Sequence, residues 1–397
     1  MEKVIVINAT ELGYQVIKAL ARHGIQSIVI YDREDAEIGR YSKYVTDAIK
    51  VPHFIEEPGL LLDFLLEKAE EWSGTLIIPT KDYGVEFLAR HKDVLKEHYL
   101  IPTPDRDVIQ RIVNKKALYC RASELGIAAP KIFTPRSLRE LKALEGKITF
   151  PCLIKPGLGH LFFRKFDFKM IEANSFDELV RSYGDLTREF TTDEFDLMIC
   201  EIIPGPDSEH MVQYVSYIDR SGEVLASMTS RKMRQDPPRY GQGRIARSER
   251  VPGLDRPSQK LLKGLGYYGF SEIEWKYDSR EGVYKLIEIN PRFIFYIGLC
   301  TACGINFPYI QYADLVRNEK IRVDSFTENV YWIHEYKDVL HTALHHSLET
   351  LSLWDYVRPY LGRKYFAIFD LKDPRPFYYQ WKEHMGNLLR RNICASK

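Results

Sequence analysis

The sequence predicts an α/β fold class, and three apolar runs support this prediction. KVIVIN (3–8), SIVIYD (27–32) and TLIIPT (75–80) have the length and composition of buried strands, and helical patterns separate them. Alternation of strand and helix is typical of a doubly wound parallel sheet, whose strands are buried on both faces. We therefore predict an N-terminal α/β domain of roughly 100 residues.

The helices of this domain are predicted from Glu11 to His23, over about 58–72, and through Leu95. The first turn reads NATELG and lacks the GxGxxG pattern, which argues against a dinucleotide site there. Asp82 lies just past the third strand. We expect it to cap the next helix, although it could instead meet the amine of a substrate.

The middle of the chain combines helices with further strands. A basic helix is predicted over 114–126, and the basic segment 230–250 is expected to be an irregular loop. Beyond about residue 320 the pattern indicates helical stretches without a clear site. Strands are predicted within FPCLIKPGLGH (150–160), FDFKMIEA (166–173), DLMICEIIPG (196–205), 211–218, 223–230 and the hairpin FSEIEWKYDSREGVYKLIEIN (270–290).

Composition excludes several classes of protein. A net charge of +1 gives no global attraction to nucleic acid or membrane, and no stretch reaches the roughly 18 apolar residues of a membrane span. The first residues, MEKVIVINATELG, lack the pattern of a signal peptide. Six scattered cysteines suit a reducing compartment. We expect a cytoplasmic protein without a nucleic-acid or membrane partner.

The hairpin carries carboxylates at alternating positions. Period-two alternation places Glu274 on one face of its first strand, and Leu286, Glu288 and Asn290 on one face of its second. In one register Glu274 lies opposite Glu288, whereas a one-residue slip would separate them. Facing carboxylates repel by roughly 4 kcal/mol at a separation of about 4 Å, and a divalent cation removes this penalty. The alternatives are a Mg²⁺ site and a solvated hairpin face.

Lys155 and Arg292 suggest a phosphate site. Lys155 follows an apolar strand and precedes Pro-Gly, at the strand end where sites of α/β proteins tend to lie. Phosphoryl transfer needs positioned cations around charge that is spread over several oxygens. Lys155, Arg292 and a metal ion at Glu288 would supply them.

The motifs resemble those of the ATP-grasp superfamily, in order, over about residues 1–320. EINPR (288–292) resembles its metal-binding strand, FPCLIKP (150–156) its phosphate-contacting lysine strand, and EIIPGPDSE (201–209) its interlobe hinge. NKKALYCRASELGIAAP (114–130) and RKMRQDPPRYGQG (231–243) are similar to the uncharacterised carboxylate–amine ligase branch. The resemblance implies an ATP-grasp fold of two α+β lobes that clasp ATP.

The implied domain organisation has four parts. It consists of a pre-ATP-grasp α/β domain (1–110), a small lobe with a glycine loop (111–200), a C-terminal lobe with the metal site (201–320) and a C-terminal helical extension (321–397).

The resemblance also implies roles for individual residues. Arg292 would stabilise the transferring phosphoryl group, and Lys232, Arg234 and Arg247 would neutralise an acyl phosphate and grip a carboxylate; a solvated basic loop and a nucleic-acid patch are the alternatives for these three. Glu274, Glu288 and Asn290 would hold Mg²⁺, with Mn²⁺ as an alternative ion. Residues implied to contact ATP are Lys115 or Lys116 and Lys155 (phosphates), Gly157 and Gly159 (loop), Glu201, Ile202, Ile203 and Leu286 (adenine), and Glu209 (ribose).

The implied activity is an ATP-dependent carboxylate–amine ligase. ATP would phosphorylate a substrate carboxylate, and an amine would displace phosphate to form an amide or peptide-like bond. We expect small, amino-acid-like carboxylate and amine substrates and a homodimer. The alternatives are a biotin-carboxylase-like carboxylase and a non-catalytic ATP-binding regulator.

Overall fold

The structure is a computed structural model that describes residues 2–157, 162, 168, 170–189, 197–237, 241–345 and 352–384. The predicted α/β fold class is confirmed. The strands in these ranges form a parallel four-stranded sheet, an antiparallel four-stranded sheet and a seven-stranded sheet. Within the described ranges, no helix combines the length and apolar character that a bilayer crossing requires.

The N-terminal sheet is parallel, in the order β3-β2-β1-β4. Its strands are β1 (Lys3–Ile7), β2 (Gln26–Tyr31), β3 (Val45–Lys50) and β4 (Leu76–Pro79). The sequence did not predict β3, because most of its side chains are exposed and it lacks an apolar run. Helices α1 (Glu11–Ala21), α2 (Pro58–Glu67), α3 (Asp82–Arg90) and α4 (Lys92–Leu95) and a 3₁₀ turn (Ile38–Tyr41) complete this unit.

Alternate residues of β1 are buried on opposite faces of this sheet. Val4 and Val6 belong to a core that includes α1, whereas Ile5 and Ile7 pack in the core that includes α2 and α3. This double burial explains the continuous apolar runs in the sequence and is the arrangement expected of a doubly wound sheet.

The small lobe is an antiparallel sheet in the order β5-β8-β6-β7. Its strands are β5 (Ile132–Phe133), β6 (Cys152–Lys155), β7 (Ile171–Ala173) and β8 (Met198–Glu201). Helices α5 (Arg106–Val113) and α6 (Lys115–Glu124) precede it, and α7 (Leu138–Lys142) and α8 (Phe176–Glu189) pack within it. Of the strand predicted over 166–173, residues 166, 167 and 169 lie outside the described residues.

The large lobe contains the seven-stranded sheet, in the order β13-β12-β9-β10-β11-β14-β15. These strands are β9 (Met211–Ile218), β10 (Val224–Asp236), β11 (Gln242–Ser248), β12 (Gly269–Asp278), β13 (Val283–Asn290), β14 (Val330–Ile333) and β15 (Arg363–Phe366). Its helices are α9 (Asp207–His210), α10 (Asp255–Leu265), α11 (Ile297–Ala302), α12 (Phe307–Arg317), α13 (Glu335–His345) and α14 (Leu353–Leu361).

Two expectations for this lobe were wrong. The basic segment 230–250 is largely an antiparallel hairpin of β10 and β11, not an irregular loop. Its many charged residues are typical of an exposed loop, but Arg234 and Arg244 are buried against Asp338. The residues beyond 320 are also not only helical, since β14 and β15 extend the large sheet.

One hydrophobic core joins the N-terminal unit to the large lobe and to residues as far as Ile368. It contains Val4 and Tyr14 of the N-terminal unit, Phe270 of the large sheet, Trp332 of β14 and Ile368 beyond β15. The N-terminal unit and the large lobe therefore share a continuous interior.

Candidate active site

Two carboxylates face each other across β12 and β13. Glu274 lies directly opposite Glu288, and Glu272 lies opposite Asn290. This is the register in which the hairpin brings the predicted metal ligands together. A bulge follows Glu274 and ends this register toward the hairpin turn.

Each of the two facing carboxylates accepts a hydrogen bond from a lysine of another element. Lys232 of β10 places its Nζ 3.0 Å from Oε1 of Glu274. Lys115, at the start of α6, donates to Oε2 of Glu288. Lys115 holds the pKa of Glu288 well below its ordinary value, although burial opposes this shift. Of the two adjacent lysines, Lys115 therefore reaches the acidic hairpin.

Lys155 lies at the end of β6 and approaches the same place from the small lobe. Burial, together with the nearby charge of Lys115, lowers the pKa of Lys155 to about 8. The backbone N–H of Lys115 donates to the carbonyl of Gly157 over 3.1 Å, which fixes the start of α6 beside this strand end. Two neighbouring, partly buried lysines create a position where an anion is stabilised.

Glu272 and Tyr296 continue the polar surface on the other side of Glu274. The Tyr296 hydroxyl donates to Oε1 of Glu272, and Asn290 Nδ2 donates to Oε2 over 2.9 Å. Glu272 is 3% exposed. Burial and the neighbouring charge of Glu274 raise the pKa of Glu272 to about 7.

Arg292 follows β13 and forms a two-pronged ion pair with Asp82. Its Nε lies 2.6 Å from Oδ1 of Asp82, and its Nη2 lies 3.2 Å from Oδ2. Asp82 is the first residue of α3, whose N-cap is Lys81, so the expectation that Asp82 caps this helix was wrong. Instead the N-terminal unit places a carboxylate at the edge of the candidate site.

Known proteins share this architecture. No family model matches the chain. It is 26% identical over 321 residues to a D-aspartate ligase of Enterococcus faecium, which covers 74% of this chain and 70% of that protein. The solved biotin carboxylase domain of a Hydrogenobacter thermophilus 2-oxoglutarate carboxylase, in complex with MgADP, has a TM-score of 0.65 and 20% identity, covering 83% of this chain and 73% of that one.

A solved L-amino acid ligase from Bacillus licheniformis is also similar. Its TM-score is 0.59 at 15% identity, and the match covers 80% of this chain and 74% of that one. These similarities agree with the order of the sequence motifs and with the cluster of carboxylates and lysines. The chain is similar in sequence to a ligase and has the ATP-grasp fold of these solved enzymes.

In this ATP-grasp fold, the residues predicted to line adenine lie where β8 leaves the small lobe. Glu201 ends β8, and Ile203 is 4% exposed. Ile202 is partly buried between them. The Glu201 side chain accepts the backbone N–H of Lys131 over 3.0 Å. The predicted use of backbone groups at 201–203 is compatible with this arrangement and stays a prediction.

A second group of carboxylates lies beside this hinge. Glu201, Asp278 and Glu281 have oxygens close enough together to share a cation. Lys285 contacts all three, and Arg280 contacts Glu201 and Asp278. Because these two side chains already balance the acidic charge, we assign no metal ion to this group.

Leu286 does not lie where the alternation predicted. The bulge after Glu274 pairs Leu286 with Trp275, whose side chain points away from the Glu274 face. Leu286 is fully buried in the hydrophobic core with Trp275. Leu286 therefore leaves the face of Glu274, because a strand irregularity breaks period two, and its predicted contact with adenine stays a prediction.

Arg234 and Arg247 are further corrections. Arg234 is 6% exposed and donates to Asp338 over 2.7 Å and to the carbonyls of Asp355 and Tyr356. Its guanidinium therefore binds the C-terminal segment and not a substrate.

Arg247 lies opposite Arg231, one residue out of step with the row that contains Glu274. It therefore projects from the other sheet face, where its Nη2 binds Glu249 over 2.5 Å. Of the three basic residues proposed to grip the substrate, only Lys232 contacts the acidic hairpin in the described part of the chain.

The remaining predicted positions are placed only in part. Gly157 lies against Lys115, whereas Gly159 lies outside the described residues. Glu209 is exposed on α9, and its predicted contact with ribose stays a prediction.

Sequence reasoning missed Gln213 of β9, which lies directly between Glu274 and Ser230 in the sheet. Gln213 is fully buried, and its Nε2 has no hydrogen-bond partner among the described residues. Its strand reads MVQYVSYI, where Gln213 and Ser216 are three residues apart and lie on opposite faces, so alternation did not mark a polar face. Tyr296 was missed because it follows the end of β13, whereas the alternation of Glu272 with Glu274 was visible in the sequence.

Proposed function

We propose that the protein is an ATP-dependent carboxylate–amine ligase that forms an amide or peptide-like bond. A carboxylate oxygen of the first substrate attacks the γ-phosphorus of ATP, and the bond to ADP breaks. The nitrogen of the second substrate then attacks the carbonyl carbon of the acyl phosphate. Inorganic phosphate leaves and the nitrogen loses a proton, so the products are the amide, ADP and phosphate.

The observation that carries this proposal is the convergence of lysines from three elements on one acidic hairpin. Lys115 from α6, Lys155 from β6 and Lys232 from β10 surround Glu274 and Glu288. A solvated hairpin face would not require one buried and two partly buried lysines from both lobes. The phosphates of a nucleoside triphosphate would pair with the lysines, and its bound cation would pair with the two carboxylates.

The donor set suits Mg²⁺. Glu274, Glu288 and the Oδ1 of Asn290 offer the hard oxygen ligands that this ion prefers. Both carboxylates already hold a cationic group in the structure, which shows that positive charge is stabilised there. When bound, the ion would neutralise charge on the β- and γ-phosphates. Mn²⁺ is an alternative ion.

The protein's own residues would bind and orient the substrates. Lys115 would exchange its contact with Glu288 for a phosphate oxygen. Lys155 would contact a phosphate oxygen beside it. Lys232 reaches the hairpin from β10, and Arg292 follows its second strand, β13. Both would hold the oxygens of the transferring group. Closure of the small lobe on the large lobe would keep water from the acyl phosphate.

The substrate class follows from the relatives. A D-aspartate ligase is similar in sequence over 74% of this chain, and an L-amino acid ligase is similar in fold over 80% of it. We therefore propose an amino acid or a similar small molecule as one substrate. The structural likeness to a biotin carboxylase domain favours bicarbonate activation as the second candidate.

Variants of the acidic hairpin and the lysine strand test the proposal. Glu288→Gln and Lys155→Ala should each abolish ADP formation over a panel of acid–amine pairs, while circular dichroism stays unchanged. Glu319→Gln and Lys263→Ala remove the same groups from the exposed surface and should keep full activity. Undiminished ADP formation in the first two variants would refute the site assignment.

The same assay separates the candidate functions. Amine-dependent ADP release, with a condensed product detected by mass spectrometry, would support the ligase. ADP release that needs bicarbonate but no amine would favour a carboxylase. ATP binding without ADP release over the whole panel would identify a non-catalytic regulator.

A further inference from the structure

A large groove lies outside the proposed active site. Its volume is about 1010 Å³, which is sufficient for a metabolite of nucleotide size. The groove separates the N-terminal unit, from α3 to the start of α5, from the turn between β9 and β10. None of the residues assigned above to ATP or the metal ion lines it. Its polar lining residues include Arg90, Lys92, Lys96, Arg106, Arg220 and Tyr268.

Every acidic residue of this groove already has a basic partner. The three ion pairs are Asp93 with Lys96 at 2.7 Å, Asp105 with Lys92 at 2.6 Å, and Asp107 with Arg111 at 2.9 Å. The carboxylates of the groove are therefore not available to compensate further positive charge.

Three arginines remain. Arg90 ends α3, Arg106 begins α5, and Arg220 lies in the turn between β9 and β10. Within the ranges that the structure describes, none of the three has a carboxylate at ion-pair distance, and all are exposed. Three separate segments thus direct uncompensated guanidinium groups to one concavity, which is the arrangement that attracts a multiply charged anion.

The Arg220 side of the groove has a fixed framework. The carboxylate of Asp219 accepts the backbone N–H groups of Ser221 and Glu223, both over 2.9 Å, so the turn that carries Arg220 is held in place. The Arg220 guanidinium lies 5.9 Å from the centre of the Tyr268 ring. This aromatic contact positions Arg220 and leaves its hydrogen-bond donors without a protein partner in the described residues.

Tyr268 also orders the other side of the groove. Lys92 Nζ lies 2.5 Å from the Tyr268 hydroxyl as well as 2.6 Å from Asp105. Lys92 is thus held as a structural cation between the walls. Because cations already lie near its ring, Tyr268 supports the basic residues and is not expected to stack on a ligand.

We infer that this groove binds a phosphorylated small molecule with at least two linked phosphate groups. Arg90, Arg106 and Arg220 would each donate to phosphate oxygens, for which the guanidinium fork is well shaped. The site is separate from the nucleotide cleft, and the inference does not depend on the proposed ligase activity.

The test uses inorganic pyrophosphate as the probe, titrated calorimetrically into the full chain at low ionic strength without divalent ions. The Lys155→Ala background removes a contact of the proposed nucleotide cleft. In that background, pyrophosphate should still bind. Arg90→Gln/Arg220→Gln should weaken this binding at least about tenfold, because charge-assisted hydrogen bonds are lost. Arg106→Gln is a second, independent variant with the same expected direction.

Arg139→Gln/Arg256→Gln is the matched control, since it removes two exposed arginines that do not line the groove. It should leave pyrophosphate affinity unchanged. Binding that disappears in the Lys155→Ala background would place pyrophosphate in the nucleotide cleft and overturn the inference. So would equal affinity in the groove and control variants, or no binding up to millimolar pyrophosphate. The pyrophosphate titration does not depend on ligase turnover, so these outcomes can be interpreted even if the ligase assay shows no activity.

Discussion

Burial and one neighbouring charge lower the pKa of Lys155. Burial and the charge of Lys115 lower the pKa of Lys155 to about 8, below the ordinary value for lysine. Near pH 8 a substantial fraction of Lys155 is therefore neutral before a ligand binds. A phosphate placed between the two lysines would favour the charged form and raise this pKa again.

Nucleotide binding should therefore take up protons at alkaline pH. With a pKa of about 8, Lys155 is about half deprotonated at pH 8 and almost fully protonated at pH 6. We expect an uptake of up to about half a proton per nucleotide at pH 8 and little at pH 6, measured by calorimetry in buffers of different ionisation enthalpy. Lys155→Arg keeps the charge and should bind with much smaller uptake. An unchanged uptake in that variant would assign the proton to another group.

Asp82 should compete with ATP for the Arg292 guanidinium, and the substitution Asp82→Asn should remove this competition. The pair is partly exposed, so its strength is limited by solvent screening. Asp82→Asn removes the negative charge that holds the guanidinium, and we expect ATP affinity to rise about threefold. Equilibrium binding measures this change, with Asp63→Asn as a surface control. Unchanged or weaker binding would show that Asp82 does not restrain Arg292.

At this scale, the sequence predicted the contacts that depend on strand alternation. Glu274 and Glu288 face each other because period two is local and both strands follow it up to the bulge. The partners of Arg234 and Arg247 could not be predicted in the same way. Asp338 lies 104 residues from Arg234, and pairing over such distances depends on the assembled sheet.

At the scale of elements, the β10–β11 hairpin holds the C-terminal segment through a buried carboxylate. Asp338 of α13 is fully buried and contacts Arg234 at 2.7 Å, Arg244 at 3.1 Å and the Tyr360 hydroxyl at 2.6 Å. One side chain of α13 thus contacts β10, β11 and α14. The sequence suggested a solvated loop, because the same charged residue types occur in buried ion pairs and on exposed surfaces.

Asp338→Asn should destabilise the protein strongly. It leaves two buried arginines without a compensating charge, which costs about 3–5 kcal/mol of unfolding free energy. Urea unfolding followed by circular dichroism measures the loss. Glu328→Gln breaks an exposed ion pair with Arg250 and should change this free energy by less than about 1 kcal/mol. Equal unfolding midpoints for the two variants would contradict the structural role of Asp338.

At the scale of the whole molecule, the N-terminal α/β unit is not closed on itself. Val4 and Tyr14 pack in the same core as Phe270 and Trp332, and Gln15 accepts the Trp332 indole N–H over 2.8 Å. Alternating strands and helices in the sequence predicted the fold of this unit. They could not predict which surface covers α1, since apolar helix faces do not specify their partners.

A fragment of residues 1–110 should therefore fail to form a stable domain. Removing the large lobe exposes the apolar face around Tyr14, which is fully buried in the full chain. We expect binding of a hydrophobic dye and no cooperative thermal transition by circular dichroism. A fragment that unfolds cooperatively without binding the dye would show that residues 1–110 form an autonomous unit.

The cores also show how the strand that carries Lys155 is held. Among the described residues, the core that joins the N-terminal unit to the large lobe takes no member from 101–214. One face of β6 packs through Cys152 and Ile154 in a core of the small lobe. The other face packs through Leu153 in a core that also contains Trp275 and Leu286 of the acidic hairpin. Separating the two lobes would expose this second core to water, so apolar contacts favour the arrangement in which the lysine strand and the paired carboxylates stay together.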